Sequence, residues 1–298
     1  MPGTKELMQG AQPVEFTIED EFADPVADNV DWDWIGAVTS FDVNEQKEVE
    51  EVRYLPDDAT GLDLQTLRNV PVSEAFELEA TFHPQNNDFL QHFTGAVGDT
   101  DPSLDSLQFG MQDRENDEYR RALGGVGEEI TVAINEDSVV ENTASFPFAD
   151  VNDDGTDDYV GTEGSHATED PSELLTYDDL GNVEWGGEPI NDAISSLEIS
   201  ISNDLEIVKD IDSELDSHIV AIVPTSREIT VDIEITYDDW DFMRDVRSYT
   251  PEDLTFDLDG DSFTIEDVAF PEAPYEFSPE DLVADSLTSD AASGITWA

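Results

Sequence analysis

From Ile194 the chain reads ISSLEISISNDLEIVKD, with Leu197, Ile199 and Ile201 separated by polar residues. A period of two sends successive side chains to opposite faces, so this stretch reads as a half-buried β-strand. The same strand is written twice. VTSFDVNEQKEVEEVR, from Val38, runs in step with it at an offset of 156. Ser40 falls on Ser196, Phe41 on Leu197, Asp42 on Glu198, Val43 on Ile199, Val49 on Leu205, Val52 on Val208 and Arg53 on Lys209. After a loop, VPVSEAFELEATFHPQNNDFLQHF from Val70 matches VPTSREITVDIEITYDDWDFMRDV from Val223 at an offset of 153. Phe76, Leu78 and Ala80 there meet Ile229, Val231 and Ile233. The three-residue change in offset falls in the intervening loops, where length varies freely. The ordered series of strand, charged loop, Val-Pro-x-Ser, strand and Asp-Phe reads as an internal duplication.

Each half is expected to run the same way. A first strand covers 35–44 and 193–203, a second covers 74–83 and 227–238, and a short helix covers 86–95 and 239–247. Further strands are expected in ITVAINEDSVV and FTIEDVAF, and a hairpin in LLTYDDLGNVEWGG around Asp179 to Asn182. The resulting division is an N-terminal arm (1–30), a first domain with an acidic insertion (31–184), a second domain (185–271) and a C-terminal arm (272–298).

Charge bears on what such strands can bind. The chain has 298 residues, with 74 Asp plus Glu against 11 Lys plus Arg, for a net charge of −63. The acid is spread along the whole chain, lysine is scarce, and 38% of residues are hydrophobic. That is enough apolar material for one large or two medium domains. Diffuse acid with little lysine points to a halophilic source. Self-repulsion of this size loosens a fold in dilute buffer, and molar salt shortens the screening length to about 3 Å. Most carboxylates therefore read as solvation. The charge argues against binding the outside of nucleic acid, which needs Lys and Arg on phosphates.

The absence of cysteine removes disulfides, thiolate catalysis and Cys-ligated metals. MPGTKELMQG lacks the apolar core of a signal peptide, and no run approaches the roughly 18 apolar residues of a membrane-spanning helix. Soluble expression in the host cytoplasm is expected.

The best metal motif is DVNDDGTDD, where Asp150, Asn152, Asp154 and Asp158 follow the start of a calcium loop. Gly161 stands where a bidentate Glu belongs, so a solvated turn competes with calcium binding. DLDGD at 257–261 reads as a hairpin turn. His83, His92, His166 and His218 share no metal-ligand spacing. No nucleophile elbow or phosphate-binding glycine loop occurs, and no set of residues points to an enzyme. No cofactor other than calcium is suggested.

The order of these weak motifs carries a resemblance. DWIGAVTSFDV and the block from Ala193 to Asp239 resemble tail tube proteins of long-tailed viruses. In that family a serine-rich strand ending in Asn is followed by a loop and a strand opening with Arg. Here these are Ser196 to Asn203 and Arg227 to Ile235. The closing segment from Pro271 resembles the arm that ends many of these chains. The resemblance covers most of 31–95 and 185–298, and 96–184 matches poorly.

It implies a mainly β chain of two tandem tail-tube-like β-sandwich or barrel domains, each with a short flanking helix. Their strands would join an oligomeric β-barrel ring, and stacked rings would form the DNA conduit of a virion tail assembled in the host cytoplasm. With the duplication, three chains make a pseudo-hexameric ring; with a single domain per chain, six do. Phe76, Leu78, Ala80, Leu197, Ile199, Ile201, Val231, Ile233 and Ile235 would face the core. Glu77, Glu79, Glu198, Asp232 and Glu234 would then line the channel. Other copies, the tape-measure, terminator and baseplate proteins, and double-stranded DNA passing without specific binding are the implied partners, with no membrane span. A halophilic archaeon is the expected host. Two alternatives stay open: the inner tube of a contractile device, and a calcium-stabilised extracellular β-sandwich.

Overall fold

A computed structural model describes residues 14–26, 30–54, 66–95, 104–113, 118–155, 164–165, 173–190, 194–210, 219–236, 250–271 and 284–297. The chain is mainly β. The first half runs β1 (Val14–Ile18), β2 (Asp33–Trp34), β3 (Ala37–Tyr54), β4 (Thr66–His83), a 3-10 turn (Asp88–Leu90), helix α1 (Gln91–Thr94), β5 (Leu107–Asp113), β6 (Glu118–Gly125), β7 (Glu129–Asn135), β8 (Glu141–Phe148) and β9 (Asp150–Gly155). The second runs β10 (Leu180–Trp185), β11 (Glu188–Pro189), β12 (Ile194–Lys209), β13 (Ile219–Thr236), β14 (Glu252–Leu258), β15 (Asp261–Val268), β16 (Ala284–Thr288) and β17 (Gly294–Trp297).

These strands form three antiparallel sheets. The largest has seven strands in the order β16-β13-β12-β7-β8-β4-β3, and the two five-stranded sheets run β2-β1-β5-β6-β9 and β11-β10-β14-β15-β17. The small sheets share one topology: β1, β2, β5, β6 and β9 take the places of β10, β11, β14, β15 and β17. In the large sheet β4 and β13 lie four positions apart and, since every intervening pair is antiparallel, they point the same way.

The long hairpins agree at residue level. Phe41 pairs with Ala80 and Val43 with Leu78, while Leu197 pairs with Ile233 and Ile199 with Val231. At the two offsets read from the sequence these are the same pairs. Two bulges coincide as well, between Val38 and Ser40 and between Glu48 and Val49 in the first hairpin, and between Ile194 and Ser196 and between Asp204 and Leu205 in the second, which has one more between Val208 and Lys209. Pro71 faces the second bulge in one hairpin and Pro224 in the other. A proline has no N–H for the ladder, so pairing slips there in both.

Alternation decides which face is buried. Phe76, Leu78, Ala80, Leu197, Ile199, Ile201, Val231, Ile233 and Ile235 are all buried, as the pattern requires. They share one continuous core with the inner faces of both small sheets. In the first half Phe146 packs against Phe109 and Phe93, with ring centroids 4.8 and 5.1 Å away. In the second, Phe263 lies between Phe256 and Trp297 at 5.0 and 5.5 Å. Burying one such aromatic or aliphatic side chain stabilises the fold by about 1.5–3 kcal/mol.

Several expectations change. Val14–Ile18 is not part of a loose arm but pairs along its whole length with β5, and β16 and β17, inside the expected C-terminal arm, complete two sheets. The expected acidic insertion supplies β5, β6 and β9. The first helix is a 3-10 turn and four α-helical residues, and the second falls outside the described residues. The turn placed at Asp179 to Asn182 is instead Gly186-Gly187: φ is +60° and +81° there, and Trp185 pairs with Glu188. Two glycines tolerate the positive φ that a two-residue hairpin loop needs. Asp259-Gly260 forms the expected turn, between paired Leu258 and Asp261.

The segment after β1 is held by Glu19, whose buried carboxylate accepts hydrogen bonds from the backbone N–H of Ala23 and of Gly124, both at 2.8 Å. Burial pushes its pKa up to about 7, against the lowering effect of those donors and the Ser106 hydroxyl. A carboxyl raised in the folded state contributes stability that is full below the ordinary carboxylate pKa and lost as pH rises through 7. Thermal melting of the wild type should therefore weaken from pH 5 to pH 8 more steeply than that of Glu19→Gln. Parallel curves would show that Glu19 is not the titrating group.

Candidate functional site: the acidic face of the large sheet

The face of the seven-stranded sheet turned away from the core is where the alternation places its polar residues. Register fixes its rows. Asp42 pairs with Glu79, Glu79 with Ser145, Glu198 with Asp232, and Glu234 with both Ser196 and Ser286. The candidates Glu77, Glu79, Glu198, Asp232 and Glu234, drawn from two distant stretches of sequence, therefore stand on one continuous surface. Glu79 and Glu234 are exposed, and Glu77, Glu198 and Asp232 half-buried. Over the body of this face, where β3 (40–44), β4 (77–81), β8 (141–147), β7 (129–135), β12 (196–202), β13 (228–234) and β16 (286–288) lie side by side, the outward positions are Glu, Asp, Ser, Thr and Asn with Ala133 and Pro147, and none is Lys or Arg.

A row of hydroxyls crosses the sheet between the acids. Thr131 and Ser200 share a hydrogen bond at 3.0 Å, and Thr81 and Thr143 one at 3.5 Å. The electrostatics are those of crowded carboxylates: Glu128, beside this face, has its pKa raised by burial and then by Glu77 and Glu129. At the offsets of the repeat, the pair Asp42 and Glu79 corresponds to Glu198 and Asp232. Directly opposed like charges destabilise a sheet, yet both halves carry them at the same place.

Reading the sequence alone missed Asp42, Glu129 and Glu141 as members of this face, because alternation gives a residue's face but not its neighbouring strand. It singled out Asn203 and Arg227 without their role. Asn203 is buried and donates its amide to the carbonyls of Phe93 and Gly127, at 3.2 and 3.0 Å. The Asn203 side-chain oxygen accepts from Arg227 Nε at 2.9 Å, and a guanidinium nitrogen of Arg227 reaches the carbonyl of Thr94 at 2.8 Å. Together they tie the end of α1 to the large sheet and satisfy backbone carbonyls that would otherwise be buried unpaired.

The other candidates are dispersed. Asp150, Asn152 and Asp154 lie on β9, which pairs with β6, and Asp158 is outside the described residues. Among the described residues no group of three or more His, Asp or Glu is placed to hold a metal ion. His83 donates from Nδ1 to the carbonyl of Val140 at 2.9 Å, His92 is buried, and His166 and His218 are outside the described residues. No helix among the described residues is long and apolar enough to cross a membrane.

Salt should report directly on the opposed acids. Raising NaCl from about 0.1 M to about 2 M, where the screening length falls to a few ångströms, should raise the melting temperature, and the gain should shrink in Glu198→Gln/Asp232→Asn. An equal gain in both proteins would mean that the pair does not contribute to the repulsion.

A family model described as phage tail tube protein matches residues 9–292. Among curated proteins, no sequence matches the chain significantly.

Proposed function

The chain belongs to the phage tail tube protein family, and from that premise we propose that it assembles head to tail into rings whose stacked channel conducts the viral genome, with the acidic face of the large sheet as the channel wall. The observation that carries this reading is the gathering of Glu77, Glu79, Glu198, Asp232 and Glu234 on one face of a sheet whose other face is core. A wall of carboxylates and hydroxyls offers phosphate no cation to hold it, so a duplex slides rather than binds. In high salt the repulsion acts only at contact range, which is where a channel wall operates.

The shape of the sheet supports assembly. Its edges are β3 and β16, each paired on one side only among the described residues. Long open edges invite pairing with other chains, and closure into a barrel removes them. Joining one edge to the opposite edge of the next copy is a head-to-tail contact, which makes a ring when the rotation closes. A duplex about 20 Å across needs a barrel of roughly two dozen strands. Three chains bring twenty-one described strands.

The matched registers, bulges and small-sheet topologies support reading the chain as two tandem tube domains, with halves at about 14–155 and 180–297. Three chains then give six domains and pseudo-sixfold symmetry. The position matching β7 falls between β15 and β16, largely outside the described residues. The role is structural rather than catalytic: the protein belongs to the virion tail, made of further copies and the other tail proteins. The acid-rich composition fits a virus of a halophilic host.

Glu77→Lys/Glu79→Lys/Glu234→Lys should leave tube assembly intact and slow genome delivery, read as potassium efflux or infectivity of tails carrying the variant. Normal tubes with normal delivery would count against the channel wall.

A further inference from the structure

Repeat mates on the two long hairpins differ in one respect. At six matched positions β3 is more exposed than β12. Val38, Phe41 and Val43 are half-buried where Ile194, Leu197 and Ile199 are buried. Ser40, Asp42 and Asn44 are exposed where Ser196, Glu198 and Ser200 are half-buried. Pairing within each hairpin is alike there, so the difference comes from the other side of the strand. β12 has β7 on that side, in register from Ser196 with Asn135 to Ser202 with Glu129. Among the described residues β3 has no strand there. Its edge is short of one neighbour.

The sequence holds a second strand of the β7 kind. From β6 to β8 the first half runs in step with the second half from β15 to β16 at one offset of 143. Glu118–Gly125 falls on Asp261–Val268, and Glu141 falls on Ala284, the first residue of β16. The pairing agrees: Glu79 with Ser145 and Ala80 with Ala144 become Asp232 with Thr288 and Ile233 with Leu287. Fifteen residues join the two strands in each half. β7 then falls on EAPYEFS, residues 272–278, which lie outside the described residues. Ala273, Tyr275 and Phe277 take the places of Ile130, Val132 and Ile134, all three buried. The PEDLV that follows takes the place of EDSVV. Apolar residues at every second position keep the pattern of a strand with one buried face. Pro274 stands at the place of Thr131. It lacks a ladder N–H, which a strand at the edge of a free chain's sheet tolerates.

We propose that residues 272–278 are the eighth strand of the large sheet and pair with the edge of β3 in a neighbouring copy, as β7 pairs with β12 within one chain. This rests on the tube reading, since it needs copies joined edge to edge, and it goes further by naming the strands that meet and their register. The two offsets carry the β7–β12 register across. Ser278 comes to lie beside Ser40, Phe277 beside Phe41, Glu276 beside Asp42 and Tyr275 beside Val43. Phe277 and Tyr275 then cover the half-buried Phe41 and Val43. Glu276 joins the acidic face, directly opposite Asp42. The matching pair inside the chain is Glu198 with Ala133, so the seam between copies carries opposed carboxylates where the internal seam does not. Closing it therefore depends on salt. Each chain brings eight strands in place of seven, which gives a ring of three the roughly two dozen that a duplex-sized lumen requires.

The chain has no cysteine, so engineered pairs report cleanly. In the full-length protein assembled in molar salt, Ser40→Cys/Ser278→Cys or Asp42→Cys/Glu276→Cys should, on mild oxidation, give bands of two and three linked chains on a non-reducing gel. Asp42→Cys/Phe277→Cys, which puts the thiols on opposite faces of the sheet, should not. Phe277→Asp should give a folded monomer that forms no rings, and Glu276→Gln should lower the NaCl concentration at which rings appear. Rings in which neither same-face pair links chains, or links that form only within single chains, would overturn the inference while leaving the tube reading in place. Wild-type protein that forms no rings at all would overturn the tube reading instead.

Discussion

The fold depends on one constraint: a seven-stranded sheet that is apolar on one side only. Its inner face supplies the largest share of the core of any sheet, and each small sheet finds a partner by covering part of it. Its outer face is left with acids and hydroxyls. The two faces cannot be exchanged by a small slip, because a shift of one residue would send every core side chain outward. Register is therefore pinned by burial, and the bulges at Pro71 and Pro224 let each long hairpin keep it past the edge of the core. The opposed acids are tolerated because burying Leu197, Ile199, Val231 and Ile233 behind them outweighs the roughly 0.2–1 kcal/mol at stake in a cross-strand pair.

β7 and β8 join the halves. They are consecutive in sequence, yet β7 pairs with β12 of the second half and β8 with β4 of the first. The two hairpins thus become parts of one surface rather than two independent sheets. This arrangement gives the polar face its extent, and it leaves β3 and β16 as the edges of the sheet among the described residues.

Much of this was legible in the sequence, for a definite reason. Strands with one buried face alternate, so the core residues of β4, β12 and β13 and the acids opposite them could be read directly. The repeat added register, since two copies that pair alike must match at fixed offsets. What alternation does not carry is partnership. Nothing in EITVAIN names β12 as its neighbour, so the single continuous face appeared only in the structure. β1 and β17 were read as arms because they are short and their burial comes from other strands. The hairpin turn moved to Gly186-Gly187 because positive φ at two successive residues outweighed the more polar Asp179 to Asn182 stretch.

The central claim is that the acidic face closes around a channel in a ring of three chains. Cryo-electron microscopy of the purified protein, assembled in molar salt, tests it most directly. The account predicts stacked rings of three chains with pseudo-sixfold symmetry and Glu79, Glu198 and Glu234 on the wall of an open lumen. Rings whose lumen is lined by the small sheets, or compact monomers at high concentration, would contradict it.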